Sequence, residues 1–141
     1  MVCSRAEAVS IARALAWKLR CAEIRPTSSS VRSTFERSSD PAEIPDPKHV
    51  KTVFNQSGQA LYFSRSPIPC YRDGGEDPTY YKHLGIYAYF PPFLRLFSDL
   101  PTGPLEAAEK LEQLRALEYG YSVKVIESKQ DSFEVDVPED Y

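Results

Sequence analysis

Residues 60–70 read ALYFSRSPIPC, and this stretch constrains the fold more than any other in the chain. An apolar, aromatic run (Ala60, Leu61, Tyr62, Phe63) stops abruptly at Ser64-Arg65-Ser66, and Pro67 and Pro69 follow. Proline lacks a backbone N–H, so neither can continue a hydrogen-bonded ladder. The pattern predicts a buried strand that delivers one cation, Arg65, just past its end. In open α/β sheets ligands sit beyond the strand ends. Arg65 is therefore either a ligand-facing group or a surface arginine leaving a core strand.

A chain of 141 residues fits one ordinary domain with a real core. Its 42% apolar and 26% charged residues are a globular rather than a disordered composition. A net charge of −3 gives no electrostatic case for nucleic acid. That sum hides an asymmetry: residues 1–38 carry seven basic to three acidic side chains, and the remainder ten to seventeen. Two segments of different character are expected, with 1–38 a basic amphipathic and linker extension. Three widely spaced cysteines (Cys3, Cys21, Cys70) form neither a disulfide framework nor a zinc pattern, which points to a reducing, cytoplasmic setting. No run of about eighteen apolar residues is present to span a membrane, and no secretory h-region is found.

Ser4-Arg5-Ala6-Glu7 has capping-box spacing, and Ala8, Ile11, Ala12, Leu15 and Leu19 recur behind it with helical period. Residues 25–39, RPTSSSVRSTFERSS, are polar and without period, which predicts a linker. A basic, Ser-rich and amphipathic start also describes an organelle transit peptide, against which Glu7, Glu23 and Glu36 count. A short strand over 50–54 and a second over 60–64 are joined by Asn55-Gln56-Ser57-Gly58, a hairpin with Gly58 suited to positive φ. Residues 71–79 form a loop. Residues 80–89, YYKHLGIYAY, are the densest aromatic segment, β-prone over 86–89. Phe93, Leu94, Phe97 and Leu100 suit a short helix entered through Pro91-Pro92. Residues 105–119 read as one helix from Pro104 to the Gly120 cap, with Leu105, Ala108, Leu111 and Leu114 as its buried side. Strands follow over 121–127 and 133–137. Strands and helices alternate from about residue 50, which favours an α/β fold. Five strand candidates without preceding elements make a lopsided half of such a sheet.

Chemistry is first limited by what is missing. None of the six glycines clusters between a strand and a helix, so no phosphate cradle is recognisable, and neither GxSxG nor HExxH occurs. On a wheel of about 100° per residue, Glu112 and Arg115 fall on or beside the apolar stripe of the 105–119 helix. A buried charge must be paired or liganded. Either the two pair at i,i+3, or Glu112 and Gln113 serve a hydroxyl-rich ligand. His83, amid tyrosines, is either a satisfied core group or a functional one. Asp136, before Pro138, is a helix N-cap or one oxygen ligand of a hard divalent cation.

Taken in order, ALYFSRSPIP, YYKHLGIYAY, PLEAAEKLEQLR and VDVPED resemble the C-terminal half of the 3-deoxy-manno-octulosonate cytidylyltransferases, the CMP-Kdo synthetases. The likeness runs from about residue 40 to residue 141, whereas 1–38 match nothing in that family. The resemblance implies a partial domain over 39–141. It would be the incomplete C-terminal portion of a nucleotide-diphospho-sugar-transferase, a Rossmann-like mixed sheet with a β dimerisation segment and hence a homodimer. It implies transfer of CMP from CTP to the sugar acid with Mg²⁺, releasing pyrophosphate, for lipopolysaccharide synthesis. Arg65 would meet the sugar carboxylate, His83 and Tyr87 would contact the sugar, and Glu112 and Gln113 would bond its hydroxyls. Asp136 would be one of two aspartates on Mg²⁺. The family's PAR…R-x-PGK loop for CTP and its first metal aspartate are not in this sequence. Val137 stands where the family has Thr, and Glu134 where it has Gly. Two expectations follow: a family member without activity on its own, or a non-catalytic remnant that associates through YYKHLGIYAY and the SPIP loop.

Overall fold

The structure, a computed structural model, describes residues 30–73 and 78–128. The helix expected from Ser4, the strand expected over 133–137 and Asp136 lie outside these residues. Five strands form one mixed sheet in the order β3-β2-β4-β1-β5. They are β1 (Val31–Arg37), β2 (Lys51–Phe54), β3 (Ala60–Ser64), β4 (Tyr81–Tyr89) and β5 (Val123–Glu127). Only β1 and β5 run parallel; the other pairings are antiparallel. Three helices join β4 to β5: α1 (Pro91–Asp99), α2 (Pro104–Glu109) and α3 (Gln113–Glu118). The α/β expectation holds, in a mixed sheet.

The hairpin forms as its sequence predicts. Thr52 faces Phe63, and Lys51 faces Ser64. Asn55 Oδ1 accepts from the N–H groups of Ser57 and Gln59, and Gly58 turns the chain at φ +72°. The turn then seats on β5, where Val125 N–H donates to Gly58 O at 2.9 Å and Lys124 Nζ donates to Ser57 O.

The linker expected over 25–39 is corrected over 31–37, which form β1, between β4 and β5. Val31, Ser33 and Phe35 alternate inward while Arg32 and Arg37 face out. The period is hidden in the sequence because a serine occupies the middle inward position. On the other side β4 is continuous over nine residues but bulged: Ser33 faces Tyr87 and Phe35 faces His83, with Gly85 at φ +64° in the bulge.

The single helix expected over 105–119 is two. Lys110 adopts the left-handed conformation at φ 55° and ends α2, its N–H donating to Glu106 O. Past this break the chain reverses, and Glu118 caps α2 by accepting from the N–H groups of Leu105 (2.8 Å) and Glu106 (3.1 Å). In one straight helix residues 105 and 118 would stand about 20 Å apart. The break also moves the buried side: Leu111 and Leu114 go in, whereas Leu105 and Ala108 stay exposed. Phe93 and Phe97 of α1 and Leu100 at its C-cap are buried as expected, but Leu96 takes the inward place given to Leu94. Phe63, Phe93, Leu114, Val31 and Val123 make the fully buried centre, between the helices and one face of the sheet. No described helix is long and apolar enough to cross a membrane.

Candidate functional site

Arg65 emerges one residue beyond β3, as the proline-terminated strand predicts. Its backbone N–H donates to Glu109 Oε2 (3.0 Å), and the other oxygen of that carboxylate accepts from Ser64 Oγ (2.7 Å). The guanidinium is held at two nitrogens: Nε donates to Glu109 O (2.9 Å) and Nη1 to Pro47 O (2.7 Å). Glu109 thus ties the end of β3 to the end of α2.

On the covered face of the sheet, His83 is only 4% exposed. Its ring meets Phe63 edge-on at 4.9 Å and Tyr87 at 5.3 Å. Its Nε2 lies 2.7 Å from Ser33 Oγ, and the Ser33 hydroxyl also donates to Ile86 O at 2.9 Å. A carbonyl can only accept, so the single hydroxyl proton is spent there, and Nε2–H is the donor to Ser33. Burial pushes the imidazole pKa down to about 4. His83 is therefore neutral at pH 7 and offers shape and hydrogen bonding rather than charge. Burial likewise raises the Tyr87 phenol above its ordinary value, and the Tyr89 and Glu112 charges add to this. The Glu112 charge also reaches Tyr89, after burial the largest cause of that phenol's rise. Glu112 and the Tyr87–Tyr89 edge of β4 therefore share one neighbourhood.

Glu112 itself is exposed, with its side chain 66% accessible, and Gln113, the first residue of α3, is buried. The charges placed by the helical wheel are thus differently disposed. Arg115 stands 3.5 Å from Glu112, but its main partner is Glu106, with Nε to Oε2 at 2.7 Å and Nη2 to Oε1 at 2.5 Å. This bidentate pair lies against the Phe97 ring, 4.9 Å from guanidinium carbon to centroid, and its hydrogen bonds hold the Glu106 carboxyl below the usual range. With Arg115 so engaged, the Glu112 carboxylate faces outward at the head of α3.

The sequence-selected residues fall in two groups. Arg65 joins Glu109 of α2; separately, His83 touches Phe63 and Tyr87, and Tyr87 senses Glu112, next to Gln113. Asp136 falls outside the described residues. Among the described residues no group of three or more His, Cys, Asp and Glu could hold a metal ion. Sequence reasoning missed Ser33, Glu106 and Glu109, the partners that fix His83, Arg115 and Arg65. None of the three carried a clear signal, since the alternation in V-R-S-T-F is masked by the serine itself.

Comparison with known proteins bears on these residues. The family model described as Cytidylyltransferase matches residues 10–129. The match begins well before residue 39, so part of the 1–38 extension falls within it. A 3-deoxy-manno-octulosonate cytidylyltransferase of Solibacter usitatus is 53% identical over 105 residues, 74% of this chain and 42% of the relative. An 8-amino-3,8-dideoxy-manno-octulosonate cytidylyltransferase of Shewanella amazonensis is 61% identical over 102 residues, 72% of this chain and 41% of the relative. A solved structure of CMP:2-keto-3-deoxy-manno-octonic acid synthetase complexed with CTP superposes with a TM-score of 0.67 at 39% identity, over 82% of this chain and 47% of that one. The chain thus spans about two-fifths of the length of these curated relatives.

Proposed function

Because the chain belongs to the cytidylyltransferase family, we propose that it carries the sugar-acid-binding part of an enzyme of lipopolysaccharide synthesis. That enzyme would transfer CMP from CTP to 3-deoxy-manno-octulosonate with release of pyrophosphate. The observation that carries this proposal is Arg65, whose backbone and guanidinium are both fixed by Glu109 at the end of β3. A carboxylate pairs best with a guanidinium whose position is already set. Tyr87 would wall the sugar with neutral His83 packed behind it, and Glu112 and Gln113 at the head of α3 would bond its hydroxyls.

Mg²⁺ would neutralise the triphosphate charge in such a transfer. Asp136 would be one of its two carboxylate ligands. In-line attack on CTP is chiefly positioning and charge neutralisation. With no glycine-rich turn feeding a helix N-terminus, this chain would bind the sugar acid without turning over CTP. A pyrophosphate-release assay with CTP, the sugar acid and Mg²⁺ is expected to give no turnover by this chain alone. Turnover would overturn that part of the proposal.

A second reading is a non-catalytic module that associates with itself or a longer relative in the cytoplasm. Ile86 of β4 (61% exposed), Phe90 just after it (51%) and Leu94 of α1 (46%) favour it, as exposed apolar groups. The tyrosines first expected at that surface do not: Tyr81, Tyr87 and Tyr89 are half-buried and pack against the core. Sedimentation separates the two readings. Self-association without ligand supports the module, and a monomer that takes up the sugar acid supports the binding part of a transferase.

A further inference from the structure

Residues 40–49 lie over Lys51 and Lys82 of the sheet as two consecutive Asx-turns. Asp40 Oδ1 accepts from Ala42 N–H and Asp46 Oδ1 from Lys48 N–H, each at 2.8 Å. Cations rising from the sheet fasten this strap. Lys82 Nζ meets Glu43 Oε1 at 2.8 Å and Glu36 Oε1 at 2.8 Å. Lys51 Nζ donates to the carbonyls of Asp46 (3.0 Å) and His49 (2.5 Å). Arg65 Nη1 donates to the carbonyl between them, Pro47 O, at 2.7 Å. Along the strap Asp40, Pro41, Ala42, Pro45, Pro47 and Lys48 are exposed. A segment held mainly by polar contacts at its base opens locally at far less cost than a core element.

The position of Pro47 O matters because a carboxylate meets arginine fork-on, through Nη2 together with either Nε or Nη1. Nε is taken by Glu109 O, at the end of a helix, and Nη1 by Pro47 O, on a turn. Each approach includes a nitrogen that already donates to a carbonyl, so a carboxylate has to share or displace that carbonyl, and the turn is the easier of the two to displace. We propose that residues 40–49 are a latch over Arg65: closed, they occupy its guanidinium through Pro47 O, and an anionic ligand engages the full fork as the turn lifts. The Glu43–Lys82 clasp sets how often the latch is open. A site open only a fraction of the time binds more weakly by that fraction. The role of the latch in binding rests on Arg65 receiving the sugar carboxylate, but the latch itself is tested without any ligand.

The test is the rate at which phenylglyoxal modifies Arg65 in the full chain, read by peptide mass spectrometry, alongside hydrogen exchange at the amides of Lys48, His49 and Val125. Glu43→Ala is expected to raise Arg65 modification about threefold or more and to speed exchange at Lys48 and His49, with Val125 in β5 unchanged. Asp46→Ala, which breaks the Asx-turn and leaves both Lys82 ion pairs in place, is expected to do the same. It decides the matter if exchange at Val125 reveals that Glu43→Ala has loosened the whole fold. Faster strap exchange with unchanged Arg65 modification overturns the latch, as does no change in either quantity for Asp46→Ala. Protection of Arg65 from phenylglyoxal by 3-deoxy-manno-octulosonate is a separate measurement. Its absence counts against the binding role of Arg65 and leaves the latch result standing.

Discussion

His83 Nε2 and Ser33 Oγ lie 2.7 Å apart, inside the covered face of the sheet, and join two strands fifty residues apart in sequence. Folding thus seals an imidazole that stays neutral, with a pKa near 4 against an ordinary 6.5. Above pH 6.5 neither folded nor unfolded chain protonates this group. As pH falls from 6.5 to about 4 the unfolded chain gains a proton that the folded one refuses. Stability is lost across that window, by on the order of 3 kcal/mol from this group, and the loss levels off below pH 4. Urea midpoints measured from pH 7 to pH 4 are expected to fall less steeply in His83→Gln than in the parent. Parallel curves would show that His83 is not the group responsible.

A second relationship accounts for the broken helix. Glu118 caps α2, and a Cβ built on Gly103 would overlap the Glu118 carboxylate. Gly103→Ala is expected to cost about 1 kcal/mol, the worth of a helix cap. In a Glu118→Ala background the same change is expected to be nearly neutral, because the cap is already gone. A double-mutant cycle in denaturant checks this, and additive costs would contradict it.

How much of this was open to sequence reading varies from element to element. The β2–β3 hairpin was, because Asn55 and Gly58 act on their own neighbours. So was the place of Arg65, since Pro67 and Pro69 stop the strand locally. By contrast β1 offers only Val31 and Phe35 as apolar inward residues, and Ser33 belongs between them because His83 supplies its partner from a distant strand. Nothing beside Lys110 signals a stop. The break is set by Arg115 reaching Glu106 and Glu118 reaching Leu105, contacts that exist only once the chain has reversed. Likewise Glu109, which anchors Arg65 from 44 residues away, gave no sign of it.

Two glycines at positive φ separate backbone strain from crowding. At Gly85, φ +64°, an added methyl group would meet open space, whereas a Cβ on Gly58, at φ +72°, would lie 2.9 Å from Lys124 Nζ. Gly85→Ala should therefore cost only the left-handed penalty, about 1–2 kcal/mol. Gly58→Ala should cost that and also loosen the turn from β5, seen as faster exchange of the Val125 N–H that donates to Gly58 O. Equal costs and unchanged Val125 exchange would argue against the seating of the turn on β5.

The most direct test of the account is a calorimetric titration of the chain with 3-deoxy-manno-octulosonate in the absence of CTP, repeated with Arg65→Ala. Saturable one-to-one binding is expected, weakened at least tenfold by the substitution, about 1.4 kcal/mol or more, with circular dichroism unchanged. No binding by the parent chain, or equal binding by the two proteins, would contradict the claim that Arg65 at the end of β3 holds the sugar acid.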